Sequence, residues 1–477
     1  MDRIFSIFII ISLFVYNSTF ELTEDKIKVL NEMIQSQMKS ARLNTVGFII
    51  TNKTSTIFQN VYTEKDKASN TTPFILGSVS KSFTALGILK LNINLNQTLD
   101  KFDLKEYIDE NDAKDITISE LLNHTSGLDR DRSKIIYEKG YYSYSNYGYG
   151  LLGKIIEKQS GEKFEEYMKN KIFGPLKMVN TNAKYNSDII DSYDNFFGFK
   201  TKYTSLESEI GDGFVIPQGF ISASIEDMGN YLRYYLDDSS EDYKNYISQM
   251  IQGNINLQYN KYYGMGLDIE KKNNQTIYHH DGLTNSFQCS LYIFPDIEIG
   301  IFIITNTIDM LCRKPTIDFM NNIINFITLD TYEEVDTIVF FVFHFFFDII
   351  FFILIGIPIT YLIVTIVRKF KKTEYMWFNG IKGKIIFAVD ILALIIIPIF
   401  IIVFFYTFNW MLIYAAKNLK DIQFVLFTIL SVSTFNFLIK LIYVFIYNKY
   451  FKIARKKKVE NIDLDYIGME DEKQDDD

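Results

Sequence analysis

Apolar and polar positions follow three regimes along this chain. Residues 21–335 mix helix and strand periods, residues after 335 fall into long apolar stretches, and residues 1–20 form a short apolar segment of their own. Within the first regime, the apolar runs 46–51 and 56–62 read as paired strands. Residues 80–91 read as a buried helix, 118–122 as a short helix and 149–158 as another. Later, 286–294 and 299–306 alternate with period two around Pro295-Asp296, which predicts a β-hairpin. Strands early, helices between and strands late predict an α+β domain over 21–335.

The ends of the chain carry the membrane signals. Residues 1–20 hold Arg3, an apolar run and then Asn17, Ser18 and Thr19, the order of a secretory signal peptide. A short uncleaved anchor is the other reading, but the run is brief for a bilayer. Between 336 and 448, apolar stretches at about 338–367, 385–414 and 422–447 each match the roughly 18 or more uncharged residues a helix needs to cross the hydrocarbon. The loop after the first stretch holds Arg368, Lys369, Lys371, Lys372, Lys382 and Lys384, and the segment after the third opens the tail 449–477 with Lys449, Lys452 and Arg455. Positive charge marks the cytosolic side. The domain 21–335 is therefore expected to be extracellular or lumenal, and the basic-then-acidic tail cytosolic. His344 and Asp348 share a helix face in the first stretch, as an intramembrane pair or as an interfacial turn. Asn-x-Ser/Thr triplets at Asn52, Asn70, Asn96, Asn123 and Asn274 suit a glycosylated exterior domain.

Composition narrows the function. A net charge of −9 over 477 residues argues against a nucleic-acid surface. His124, His279, His280 and His344 form no zinc spacing with the cysteines, so no metal or other cofactor is expected. Cys289 and Cys312 leave a disulfide open in an oxidising compartment. Oligomeric state is not legible.

Four local patterns carry chemistry. In Gly77-Ser78-Val79-Ser80-Lys81, a helix start would put hydroxyl and amine one turn apart on one face, with the serine at the positive end of the helix dipole. Taken alone, Ser78 is an ordinary N-cap. Tyr144-Ser145-Asn146 offers a phenol that a nearby cation such as Lys81 could turn into a base; alone it is a tyrosine-rich helix start. His280-Asp281-Gly282 on an edge strand could aim an imidazole and a backbone N–H into a cleft, or Asp-Gly is simply a turn. Leu122-Asn123-His124-Thr125-Ser126-Gly127-Leu128 reads as a helix end closed by its glycine, with His124 an interior structural histidine.

Together, and in this order, these elements resemble the serine β-lactamase family: class C β-lactamases, DD-peptidases and related esterases. Pro175-Leu176-Lys177-Met178 and Ser224-Ile225-Glu226-Asp227-Met228 resemble structural landmarks of that family. The resemblance covers about 22–330 and implies an antiparallel sheet flanked by helices, a helical lobe and an acyl-serine mechanism. It implies Ser78 as nucleophile and Lys81 and Tyr144 sharing its proton. Asn146 would hold Lys81 and the substrate amide, His280 and Gly282 would line the substrate site, and the N–H groups of Ser78 and Leu283 would meet the oxyanion. The substrate would be a small molecule or peptide with an amide or ester bond. Where many relatives carry lysine, this chain has His280, which predicts weaker preference for free carboxylates. A Ser-His-Asp triad through His280 would leave Lys81 and Tyr144 without purpose. The rival readings are a catalytically inactive binding ectodomain on a membrane anchor and, from the apolar stretches, a channel or transporter.

Overall fold

The computed structural model describes residues 22–370, apart from Lys65, Phe197, Gly198, Asn273, Asn274 and Leu311, together with scattered positions between 427 and 438. The leader segment 1–20, the tail 449–477 and, but for those scattered positions, the second and third apolar stretches lie outside the described residues. Two compact units divide the chain, Met1–Val342 and Phe343–Asp477.

The first unit is built on an eight-stranded antiparallel sheet. Its strands are β1 (Thr45–Asn52), β2 (Thr56–Thr63), β3 (Ile255–Gln258), β4 (Lys261–Tyr263), β5 (Asp268–Lys272), β6 (Gln275–Leu283), β7 (Gln288–Phe294) and β8 (Ile299–Thr305). The spatial order is β2-β1-β8-β7-β6-β5-β4-β3, so a late meander is completed by the early hairpin, with Val46 opposite Thr305 and Asn52 opposite Ile299. Strand β1 is covered on both faces, which is why it reads as a continuous apolar run rather than an alternation. Val46, Phe48 and Ile50 join one core cluster and Ile49 the other.

Helices α1 (Glu24–Ser40) and α6 (Lys314–Leu329) pack over the first face, with Leu30, Met33, Phe319 and Ile323 beside β1 and β8. Over the other face lie α5 (Ile225–Leu236) and a helical lobe holding α2 (Ser80–Lys90), α3 (Ile118–Leu122) and α4 (Asn146–Ser160). The α+β expectation and the flanked antiparallel sheet hold. The two landmark strings meet: Ser224 caps α5 by accepting from the Asp227 amide (3.1 Å), and the Asp227 carboxylate accepts from Asn180 N (2.7 Å) and Thr181 Oγ1 (2.8 Å), just past Met178.

Three local expectations change. Helix α4 starts at Asn146 rather than 149, because the Ser145 hydroxyl accepts from Gly148 N (3.1 Å) and caps it earlier. The short helix α3 is closed by His124 rather than Gly127. His124 takes the left-handed position (φ 58°), with Thr125 N bonded to Glu120 O (2.9 Å) and His124 N to Leu121 O (3.3 Å), the paired bonds of a Schellman end. Strand β6 is interior to the sheet, not an edge, since it pairs with both β5 and β7. Its pairing with β5 stops at His279, however, so His280 to Leu283 have a strand on one side only.

Both cysteines are buried and free. Asn123 is buried and its amide donates to Ser119 O (2.8 Å), so that glycosylation triplet is closed in the folded chain. Helix α7 (Thr337–Phe370) covers the first apolar stretch, and on it His344 Nδ1 lies 3.7 Å from Asp348 Oδ2. Some side chains of α7 fall outside the description. Counted over the described residues, no helix is long and apolar enough to cross a membrane.

Candidate active site

Ser78 lies in a single 3₁₀ turn, Gly77–Val79, that runs directly into α2. One turn on, Lys81 projects back along the helix, as side chains three residues apart do. Its ammonium nitrogen lies 3.2 Å from Ser78 Oγ. Lys81 is fully enclosed, at 0% exposure, while Ser78 is half-buried. The nucleophile candidate thus faces solvent and its partner amine does not.

Two acceptors fix the rest of the amine. Lys81 Nζ donates to Asn146 Oδ1 (2.9 Å) and to the Gln218 carbonyl (2.6 Å). The Asn146 amide is oriented by its other end, where Nδ2 donates to Asp131 Oδ1 (2.8 Å). Tyr144 donates its phenolic proton to Ser78 Oγ at 2.7 Å. A neutral amine has two protons and one lone pair. As an ammonium Lys81 also donates to Ser78 Oγ; in its neutral form, with Asn146 and Gln218 taking its two protons, the lone pair faces Ser78, whose own proton then completes the line from Tyr144 O–H through Ser78 O–H to Lys81 N.

Electrostatics separates the two candidate bases. Lys81 is held well below the ordinary lysine range, first by burial and then by the positive charge of Arg130, against a smaller opposing pull from Asp131. Tyr144 moves the other way: burial pushes its phenol up, and the Ser78 bond and Arg130 only partly offset that. The expectation that Lys81 would lower Tyr144 therefore fails. A buried phenolate costs more than the neighbouring amine, itself driven toward neutrality, can return.

His280 is 4% exposed, and burial followed by the charge of Lys81 pushes it down to about 3. It is a neutral imidazole at pH 7. Its Nδ1 lies 2.7 Å from the Asp281 carbonyl, which can only accept, so Nδ1 carries the proton and Nε2 presents a bare lone pair. Nε2 has no partner among the described residues. A triad through His280 finds no support, because Ser78 is bonded to Lys81 and Tyr144 and no His280–Ser78 bond occurs among the described residues.

The open end of β6 lies against the Ser78 turn. Gly77 sits at φ 53°, and a Cβ there would fall 2.4 Å from Leu283 N. A Cβ on Gly282 would fall 2.1 Å from Leu76 O and 2.4 Å from Cys289 Sγ. Both glycines are thus required for the two backbones to meet, which brings Leu283 N beside the Gly77-Ser78 peptide. Gly282→Ala is expected to cost about 1–3 kcal/mol through overpacking and to suppress reaction at Ser78. An unchanged melting temperature and labelling rate would show that the close approach is dispensable.

His124 is structural, as expected. Its Nδ1 accepts from Ser145 N (3.1 Å), its Nε2 lies 3.1 Å from Tyr263 OH, and its ring is 4.4 Å from that of Tyr144. Burial holds it well below the usual histidine range, so it is a neutral prop under Tyr144 and Ser145. The structure thus brings Ser78, Lys81, Tyr144 and Asn146 into one hydrogen-bonded group, with His280, Gly282 and Leu283 on the strand beside it. Sequence reasoning missed Gln218, Asp131 and Arg130. A carbonyl such as that of Gln218 has no side-chain signature, and the two charges look like ordinary loop residues. Among the described residues no group of His, Cys, Asp and Glu could hold a metal ion.

Comparison with known proteins fits this geometry. The family described as Beta-lactamase matches residues 30–310. Protein flp of Staphylococcus aureus (strain MRSA252) is 24% identical over 333 residues, covering 60% of this chain and 64% of that protein. The chain therefore spans less than two thirds of that relative. Beta-lactamase-like protein 4 of Dictyostelium discoideum is 27% identical over 251 residues, covering 43% of this chain and 44% of its own length. Among solved structures, the octameric penicillin-binding protein homologue from Pyrococcus abyssi shares the fold, with a TM-score of 0.55 at 22% identity over 65% of this chain and 79% of that one. Because the family match over residues 30–310 covers more than half of its length, the chain belongs to the beta-lactamase family.

Proposed function

We propose that this chain is a serine hydrolase that cleaves an amide or ester through an acyl-serine intermediate. The observation that carries the reading is the line of hydrogen bonds from Tyr144 through Ser78 to the buried Lys81. As the Oγ–carbon bond forms, the Ser78 proton passes to Lys81 Nζ. The negative charge on the carbonyl oxygen is met by the N–H groups of Ser78 and Leu283. The leaving group departs with a proton delivered from Lys81 through the Tyr144 phenol. Water then attacks the acyl carbon, giving a proton to the same amine, and as the bond from the acyl carbon to Oγ breaks that proton passes to Ser78 Oγ, releasing the acid and restoring the serine. No cofactor enters any of these steps. A decayed binding ectodomain would have no reason to keep a fully enclosed lysine aimed at a serine, since an unmatched buried amine is costly.

The same proposal places the domain outside the cytosol, behind a signal peptide over 1–20 and on an anchor of three apolar spans at 338–367, 385–414 and 422–447, with 449–477 in the cytosol. The sequence of basic loops supports that orientation. Incubating the full-length protein with a fluorophosphonate probe and mapping the adduct tests the enzymatic part. A single adduct on Ser78 is the expected result; an unlabelled protein, or an adduct elsewhere, defeats it.

The neutral His280 sharpens the substrate expectation. A substrate carboxylate gains no ion pair from an imidazole held near pKa 3. His280→Lys is expected to raise the preference for a substrate carrying a carboxylate on that side, relative to its neutral analogue, by about tenfold, the value of one modest charge-assisted bond. Equal preference in parent and variant, measured as the ratio of kcat/KM values, would count against that role for His280.

A further inference from the structure

Beside Tyr144 stands a cation whose only part in the reaction above is to depress Lys81. Arg130 is exposed, and its guanidinium carbon stands 5.5 Å from the centre of the Tyr144 ring, the ring whose hydroxyl touches Ser78. Its backbone is held to the site from two sides. Tyr147 N donates to Arg130 O (2.9 Å), and the Ser145 hydroxyl donates to Asp129 O (2.8 Å). Asp131 N in turn donates to Asp129 Oδ1 (3.0 Å), closing a tight turn around Arg130.

The nearby acids are already engaged. Asp129 is buried within that turn, and Asp131 accepts from Asn146. Among the described residues the Arg130 guanidinium has no hydrogen bond or ion pair, and its charge reaches Lys81, Tyr142, Tyr144 and His124. An arginine fork without a partner, lying over the ring whose hydroxyl touches Ser78, is suited to a planar anion. His280, whose ring is 6.5 Å from that of Tyr144, offers a bare lone pair, which repels an anion and suits a donor.

We propose that Arg130 is the specificity-determining residue of this site and binds a carboxylate of the substrate, so that the anion lies on the loop wall and an uncharged hydrogen-bond donor lies toward His280. This rests on the hydrolase reading of Ser78. Arg130 binds and accepts no proton, so beyond its electrostatic effect on Lys81, which all substrates share, its loss appears in the KM of the anionic substrate.

The test uses the full-length protein in detergent and three activated esters: one neutral, one with a carboxylate on the acyl part and one with a carboxylate on the leaving group. Acylation of Ser78 is followed by mass and turnover by product release, for the parent, Arg130→Gln, Arg130→Lys and Arg132→Gln. In the parent, one of the two anionic esters is expected to be preferred over the neutral ester. Arg130→Gln raises KM for that ester tenfold or more relative to the neutral ester, and because it withdraws a positive charge from Lys81 it moves the ascending limb of the pH profile to higher pH for all three esters alike, leaving that ratio of KM values untouched. Arg130→Lys recovers part of the loss, and Arg132→Gln, which alters another exposed charge of the same loop, changes nothing. No preference in the parent, an equal effect on the KM of all three esters, or an equal effect of Arg132→Gln overturns the assignment. Fluorophosphonate labelling separates the two levels. A Ser78 that takes the probe but shows no preference for an anionic ester defeats only Arg130, whereas a Ser78 that takes neither probe nor ester defeats the hydrolase reading beneath it.

Discussion

Ser78→Ala is expected to lower hydrolysis by on the order of 10³-fold or more and to abolish covalent labelling, while leaving a folded protein. The first part follows from chemistry: without Oγ no acyl-enzyme forms, and neither Lys81 nor Tyr144 is placed to replace it. What survives is whatever orientation and oxyanion contacts give an attacking water. The second part follows from the local bonding. Removing Oγ withdraws partners from Tyr144 (2.7 Å) and Lys81 (3.2 Å), but Lys81 keeps Asn146 and Gln218. Ser78 is half-buried, so water can reach the vacated position and the Tyr144 hydroxyl is not stranded. The cost to stability is then at most about 1–3 kcal/mol, the upper limit for an unsatisfied polar group. Circular dichroism and a melting curve measure the fold, and probe labelling measures the chemistry. A variant that hydrolyses substrate as fast as the parent removes Ser78 from the reaction altogether. A variant that fails to fold leaves Ser78→Cys, whose thiol keeps a nucleophile in place; it must take a thiol-reactive probe if the site is assembled as described.

What the sequence made legible at this site is whatever depends on short spacing. Ser78 and Lys81 are one turn apart because they are three residues apart, and Tyr144 and Asn146 flank the cap Ser145 for the same local reason. The alternating runs likewise announced β7 and β8, and the doubly buried β1 announced itself as an unbroken apolar stretch. The choice between Lys81 and Tyr144 was not legible, because it depends on burial of both groups by distant elements and on the charges of Arg130 and Asp131. The second acceptor of Lys81 is a backbone carbonyl, a group every residue carries. His124 took the left-handed helix end that a glycine usually takes, because its ring is held by Ser145 and Tyr263 from parts of the chain far from α3. The open end of β6 was half legible. The motif marked a strand meeting the cleft, but only the register shows that pairing with β5 ceases at His279 and frees the last residues to approach Gly77.

Lys81→Met is expected to lower the rate of Ser78 acylation by about 10²–10⁴-fold, the range for loss of a general base, and to do so without lowering stability. Methionine keeps the length of the chain and fills the enclosed space, but it removes the lone pair that receives the Ser78 proton. The stability argument runs through protonation. Lys81 is held well below its ordinary 10.5 by burial and by Arg130, so between its folded and unfolded pKa values the unfolded chain binds the extra proton. Stability then rises with pH across that window, and the full penalty applies below the folded pKa, where the buried amine must be charged. Methionine carries no such penalty. The variant is expected to lose the part of the pH dependence of unfolding that Lys81 contributes and to equal or exceed the parent in melting temperature on the acidic side, offset by the acceptors left on Asn146 and Gln218. The same depressed pKa sets the activity profile: acylation by the parent rises with pH as Lys81 becomes neutral. Burial raises Tyr144, so its phenol stays protonated on the alkaline side and does not limit the rate near neutrality. Tyr144→Phe would then reduce the rate while keeping the ascending limb, and Lys81→Met would remove that limb. An acylation rate with the same ascending limb in Lys81→Met as in the parent would transfer the role of base to another group and leave the enclosed amine without a function.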